Sequence, residues 1–67
     1  MKASLVIKDT ILGMDKPFNM SDLYCILKEK HSITNRMLIH EVVDGLCDAG
    51  FLEFKEIYDN VFGFEVA

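Results

Sequence analysis

The sequence predicts a small α+β domain in which three helices are closed by a C-terminal β-hairpin, with a short strand before the second helix. From Thr34 to Gly50 apolar residues recur at helical spacing and end at a glycine stop. From Phe51 the chain turns to aromatic and β-branched residues in two short runs. Upstream, a second apolar-periodic stretch beginning after Asn19 reaches almost to Thr34, so these two helices share a short connection and form a helix-turn-helix unit. The 67 residues (1–67) are read as one domain, near the lower size at which a core holds a fold without a staple.

The first segment, Ser4 to Leu12, sets Ile7 with Ile11 and Leu5 with Leu12 at separations of four and seven, which favours a helix. Val6, Ile7, Thr10 and Ile11 also suit a strand, because β-branched side chains are stiff at χ1. Gly13 and Asp15-Lys16-Pro17 end the segment. Lys16 is pushed towards extended backbone by the proline that follows it, which makes Lys16-Pro17-Phe18 a strand stub.

Asn19 is a suitable N-cap for the second helix, with Asp22 placing a carboxylate near the positive end of its dipole. Leu23, Ile26 and Leu27 form its apolar stripe, with Met20 and Tyr24 at the margins, and the helix is expected to run from Met20 to about Lys30. His31-Ser32-Ile33 connects to the third helix, about 34–49, which Thr34 is expected to cap. Leu38 with Ile39, Val42 with Val43, and Leu46 make its buried face. Gly50 sits where a left-handed residue closes a helix, and Phe51 is placed to fold back on the last turn.

The hairpin, 51–66, pairs Phe51–Ile57 with Val61–Val66 around Tyr58-Asp59-Asn60. In its second strand Phe62, Phe64 and Val66 alternate with Val61, Gly63 and Glu65, so one face packs inward. Phe54, Phe62 and Phe64 are expected in the hairpin core. If one sheet face stays open, they instead become a contact patch for another protein or a second copy.

Seven basic and eleven acidic residues give a formal charge of −4, which repels a phosphate backbone at long range and excludes a generic nucleic-acid coat. The third helix carries Arg36 as its only permanent cation against Glu41, Asp44 and Asp48, and the hairpin sets Lys55 against Glu53, Glu56, Asp59 and Glu65. The main cationic concentration is Lys28, Lys30 and His31, with Arg36 just beyond. It reads equally as a phosphate-contacting edge and as bases favoured at the C-terminus of a helix.

Cys25 and Cys47 are expected as buried, inert thiols, a usage that fits a reducing cytoplasm. No apolar run approaches the ~20 residues of a spanning helix, so no membrane association is expected, and the expected location is cytoplasmic. His40 and Asp44 stand one helical turn apart, but two ligands without a third make a poor metal site, so neither metal nor cofactor is expected. No nucleophile is placed with a base and no carboxylates converge, which argues against an enzyme.

The order of elements resembles the winged helix-turn-helix superfamily over nearly the whole chain. Within it, Lys16-Pro17-Phe18-Asn19-Met20-Ser21-Asp22-Leu23-Tyr24, Ile33-Thr34 and Gly50-Phe51-Leu52 are similar to the N-terminal DNA-binding half of ferric-uptake-type repressors. The resemblance implies a transcription regulator that lays its third helix in the major groove of double-stranded DNA with the hairpin as wing. It places Asn35, Arg36, Met37, His40 and Glu41 towards base edges, Ser32 and Thr34 at phosphates, and Lys55 and Asn60 on the wing. Asparagine suits adenine and arginine suits guanine. A homodimer is expected, because one helix reads few base pairs. The chain stops where the metal-sensing half of such a repressor would begin, so no iron or zinc sensing is expected. The alternative is an acidic winged helix used for protein association or dimerisation through an apolar hairpin face, without DNA.

Overall fold

The computed structural model describes residues 2–67, and three helices precede a two-stranded antiparallel sheet: α1 (Ala3–Leu12), α2 (Met20–His31), α3 (Arg36–Asp48), β1 (Leu52–Tyr58) and β2 (Val61–Val66). This is the expected α+β arrangement, and its layout is that of a winged helix. The ambiguous first segment is helical. Ile7 and Ile11, one turn apart, are fully buried, and the Thr10 hydroxyl donates to the Val6 carbonyl at 2.8 Å, a bond that suits a β-branched residue within a helix. Leu5 faces outward instead of sharing the buried stripe with Leu12.

Asn19 caps α2 through a reciprocal pair of bonds. Its Oδ1 accepts from the Asp22 N–H at 2.8 Å, and Asp22 Oδ2 accepts from the Asn19 N–H at 3.3 Å. Asn19→Ala removes one half of this box and is expected to cost about 1 kcal/mol, a fall in Tm of roughly 4–8 °C for a domain of this size. Thermal melts followed by circular dichroism test it, and an unchanged Tm would mean that the box does not hold the helix start.

Ser32 closes α2 in the left-handed region (φ 56°), and the Ile33 N–H reaches back to the Leu27 carbonyl at 3.0 Å. The next helix starts later than expected. Asn35, not Thr34, is the N-cap, its Oδ1 accepting from the Leu38 N–H at 3.2 Å, so α3 spans Arg36–Asp48 rather than about 34–49. Both residue types cap well, with asparagine the stronger of the two.

At its far end α3 stops as expected. Gly50 adopts φ 85°, its N–H donates to the Cys47 carbonyl at 3.1 Å, and the Phe51 N–H donates to the Leu46 carbonyl at 2.9 Å. These two bonds form a Schellman closure, which turns the chain directly into β1.

The strands pair in register from Leu52↔Val66 through Phe54↔Phe64 to Glu56↔Phe62, with an irregularity between Glu56 and Tyr58 just before the Asp59-Asn60 turn. Of the expected strand stub Lys16-Pro17-Phe18 only Phe18 pairs, because the chain bends at Lys16. Phe18 forms an antiparallel bridge with Phe64, donating to its carbonyl at 2.9 Å and accepting from its N–H at 2.7 Å, so the lateral order is β1, β2, Phe18. This third segment ties the loop after α1 to the hairpin.

The core lies between the helices and the base of the sheet. Ile7 and Ile11 of α1, Leu23 and Leu27 of α2, Ile39, Val43 and Leu46 of α3, and Phe18 and Leu52 from the sheet are buried together. Two expectations about burial fail. Cys25 is exposed, because it is two residues from both Leu23 and Leu27 and so lies on the opposite side of α2, and Cys47 on α3 is half-buried at the margin of the core. Phe54 (65% exposed) and Phe62 (51%) also lie outside the core, whereas Phe64 is half-buried. On this sheet face burial falls from Leu52 and Val66 at the base towards the turn, so the distal half of the hairpin projects past the helices.

Candidate nucleic-acid interface at the α2–α3 junction

Arg36 is the first residue of α3, and its guanidinium carbon stands 4.7 Å from the centroid of the Tyr24 ring on α2. One turn further along α3, His40 meets the same tyrosine. Tyr24 Oη and His40 Nε2 are hydrogen-bonded at 2.5 Å, and the two rings meet edge-on with centroids 5.9 Å apart. Tyr24 thus separates two side chains of α3 that share one face. The contact of a cation with an exposed aromatic face contributes about 0.5–1 kcal/mol and, more usefully, fixes where the guanidinium sits.

Beside this cluster opens a groove of about 270 Å³ lined by Tyr24, Lys28, Ile33, Thr34, Arg36 and Ile39. Its lining holds two permanent cations and two hydroxyl-bearing side chains but no carboxylate, in a chain whose net charge is −4. Arg36 opens α3, whose first N–H groups have no intrahelical partner and whose dipole is positive at that end. The chemistry suits an anion carrying oxygen acceptors.

The other expected site residues are spread more widely. Met37 is 73% exposed beside Arg36. Ser32 and Asn35 serve as helix caps, and the Asn35 side-chain oxygen is already committed to α3. Lys28 lines the groove, whereas His31, three residues later, lines a separate hollow with Val6, Asp9 and Thr10 of α1. Lys30 is exposed and lines neither. The cationic run of α2 is therefore divided between two surfaces.

On the wing, Lys55 Nζ pairs with Glu65 Oε1 at 3.1 Å, and the Asn60 N–H donates to Glu56 Oε2 at 3.1 Å. The lysine's charge is offset within the hairpin. Such an exposed pair adds little stability, but it reduces what the wing offers a polyanion. Glu41, Asp44 and Asp48 are exposed along α3 away from the groove lining.

Tyr24 is the residue that sequence reasoning missed, since it stood only at the margin of the α2 stripe. An aromatic with a polar tip at such a margin, one turn before Lys28, is the signal that would have singled it out. Burial pushes the Cys47 thiol up from its ordinary range, with the charges of Asp44 and Asp48 adding to the effect. That disfavours a thiolate there.

Among the described residues no three His, Cys, Asp or Glu side chains gather closely enough to hold a metal ion. No helix among them is long and apolar enough to cross a membrane. Comparison with family models, with curated proteins and with solved structures finds no significant match for the chain.

Proposed function

We propose that the chain is a winged-helix domain that binds double-stranded DNA as part of transcription regulation, with the start of α3 approaching the major groove and the α2–α3 groove seating a backbone phosphate. The observation that carries this reading is the groove itself, where Lys28, Thr34 and Arg36 converge without a carboxylate in the lining. Arg36 is held ready by Tyr24, with exposed Met37 and His40 beside it to meet base edges. The acidic remainder of the surface then weakens non-specific attraction and leaves binding to this one cationic edge.

The test is fluorescence anisotropy with a labelled duplex from low to moderate salt. Affinity is expected to fall steeply with salt, and Arg36→Ala and Lys28→Ala each to reduce the salt slope by about 1. Arg36→Ala is expected to cost no more stability than the ~0.5–1 kcal/mol of its contact with Tyr24. No binding at tens of micromolar protein in low salt, or an affinity that ignores Arg36, would sink the proposal.

A second reading is favoured by a separate observation. Phe54 and Phe62, both largely exposed, stack at 5.5 Å on the hairpin face, so the wing presents an aromatic surface suited to a protein partner. The two readings separate on salt, because an apolar contact responds little to ionic strength.

A further inference from the structure

The outer edge of β1 is complementary to itself. Phe64 uses both its N–H and its carbonyl on Phe18, so these groups point away from β1. Phe54 faces Phe64 in the register and therefore occupies a pair that exchanges no backbone bonds across β1 and β2. Its own N–H and carbonyl consequently point outward, as do those of Leu52 and Glu56. Among the described residues no third segment bonds the backbone of β1 along that edge.

Charge then selects a register. Regular pairing covers Leu52 to Glu56, whose midpoint is Phe54, before the irregularity that precedes the turn. In an antiparallel arrangement of two β1 strands with Phe54 facing Phe54, each Glu53 faces a Lys55 of the other copy. A shift of the two-fold to Glu53, Lys55 or Glu56 sets like charges directly opposite each other. Within one chain Glu53 faces Glu65, and the single lysine of the hairpin bonds Glu65, leaving Glu53 opposite a like charge. The second copy would set its Lys55 opposite Glu53, so that this lysine serves Glu65 of its own chain and Glu53 of the other.

The opposite face agrees with this register. Phe18, Phe64 and Phe54 follow one another with ring centroids 6.0 and 5.4 Å apart, and Phe62 stacks on Phe54. A row of aromatic rings therefore runs from the core out to the bare edge, where the two-fold would continue it into the other copy.

We propose that two copies of the chain pair through antiparallel β1 strands about a two-fold axis at Phe54, joining their hairpins into one continuous sheet with reciprocal Glu53–Lys55 contacts. The pairing is isologous and closes at two copies, because both outer edges are consumed. It does not depend on whether the chain engages a duplex.

Sedimentation equilibrium over a micromolar to millimolar range, with hydrogen exchange on the same samples, tests the proposal. The wild-type chain is expected to reach a dimer, and the outward Phe54 amide to exchange more slowly as the dimer fills. Lys55→Glu turns both facing pairs into like charges and is expected to weaken association about tenfold. The double variant Glu53→Lys with Lys55→Glu restores opposite signs and should restore the dimer. A monomer throughout the range, a dimer whose Phe54 amide exchanges freely, or a double variant no tighter than Lys55→Glu alone would each overturn it. If Lys55→Glu fails to fold, the wild-type exchange at Phe54 decides the matter.

Discussion

Gly63→Val is expected to unfold this domain or bring it to the edge of unfolding. A Cβ at position 63 would collide with the carbonyl oxygen of Phe18 and with the terminal methyl of Ile57. The methyl could rotate away, but the carbonyl cannot. It accepts the Phe64 N–H at 2.7 Å in the bridge that ties the loop after α1 to the hairpin. Relief of the clash must therefore open that bridge, and with it the site of Phe18, whose side chain belongs to the core. Overpacking alone costs about 1–3 kcal/mol, and the lost backbone pairing adds to it. A chain of 67 residues has a total stability of roughly 3–10 kcal/mol.

Gly45→Ala is the control. No atom lies within 4 Å of a Cβ there and the residue is exposed inside α3, so alanine is expected to stabilise by about 0.5–1 kcal/mol. Urea unfolding of both variants tests the pair. Equal stabilities would show that the loop does not approach β2 as closely as described.

What the sequence made legible were features decided within one turn or one strand. Asn19 and Asp22 meet as a capping box because both sit at a helix start, and Gly50 turns left-handed because few other residues adopt that conformation cheaply. Proline at position 17, which lacks an N–H and cannot sit inside a helix, marked the break between α1 and α2 in which Phe18 bridges to the hairpin. The choice between Thr34 and Asn35 was not legible, since both residue types cap helices and their relative placement depends on how α2 ends at Ser32.

Long-range geometry was beyond reach. Where the hairpin outruns the helices decides that Phe54 and Phe62 are exposed, and nothing in their alternation reports the width of the body beneath. The partnership of Lys55 with Glu65 needs the strand register, and the meeting of Tyr24 with Arg36 and His40 needs the packing of α2 on α3. Those contacts make up much of the candidate site, so of the candidate residues read from the sequence the fold gathers Lys28, Thr34 and Arg36 in one groove and disperses the others.

Ile39→Ala is expected to remove about 2–5 kcal/mol, the range for truncating a fully buried aliphatic side chain, and to weaken duplex binding along with it. Ile39 is fully buried at the centre of the core and is also a residue of the groove lining, so it joins packing to the proposed site. Removing its methyl groups leaves a void beneath the contact between α2 and α3, the same contact that holds Tyr24 against Arg36. The milder Ile39→Val should cost about 0.5–1.5 kcal/mol while leaving the domain folded, which permits binding to be read apart from unfolding. If the groove depends on this packing, the valine variant binds duplex DNA more weakly than wild type at equal folded fraction. Should Ile39→Ala lose less than about 1 kcal/mol in urea unfolding, the helix is not anchored through this face, and the placement of Arg36 beside Lys28 loses its physical basis.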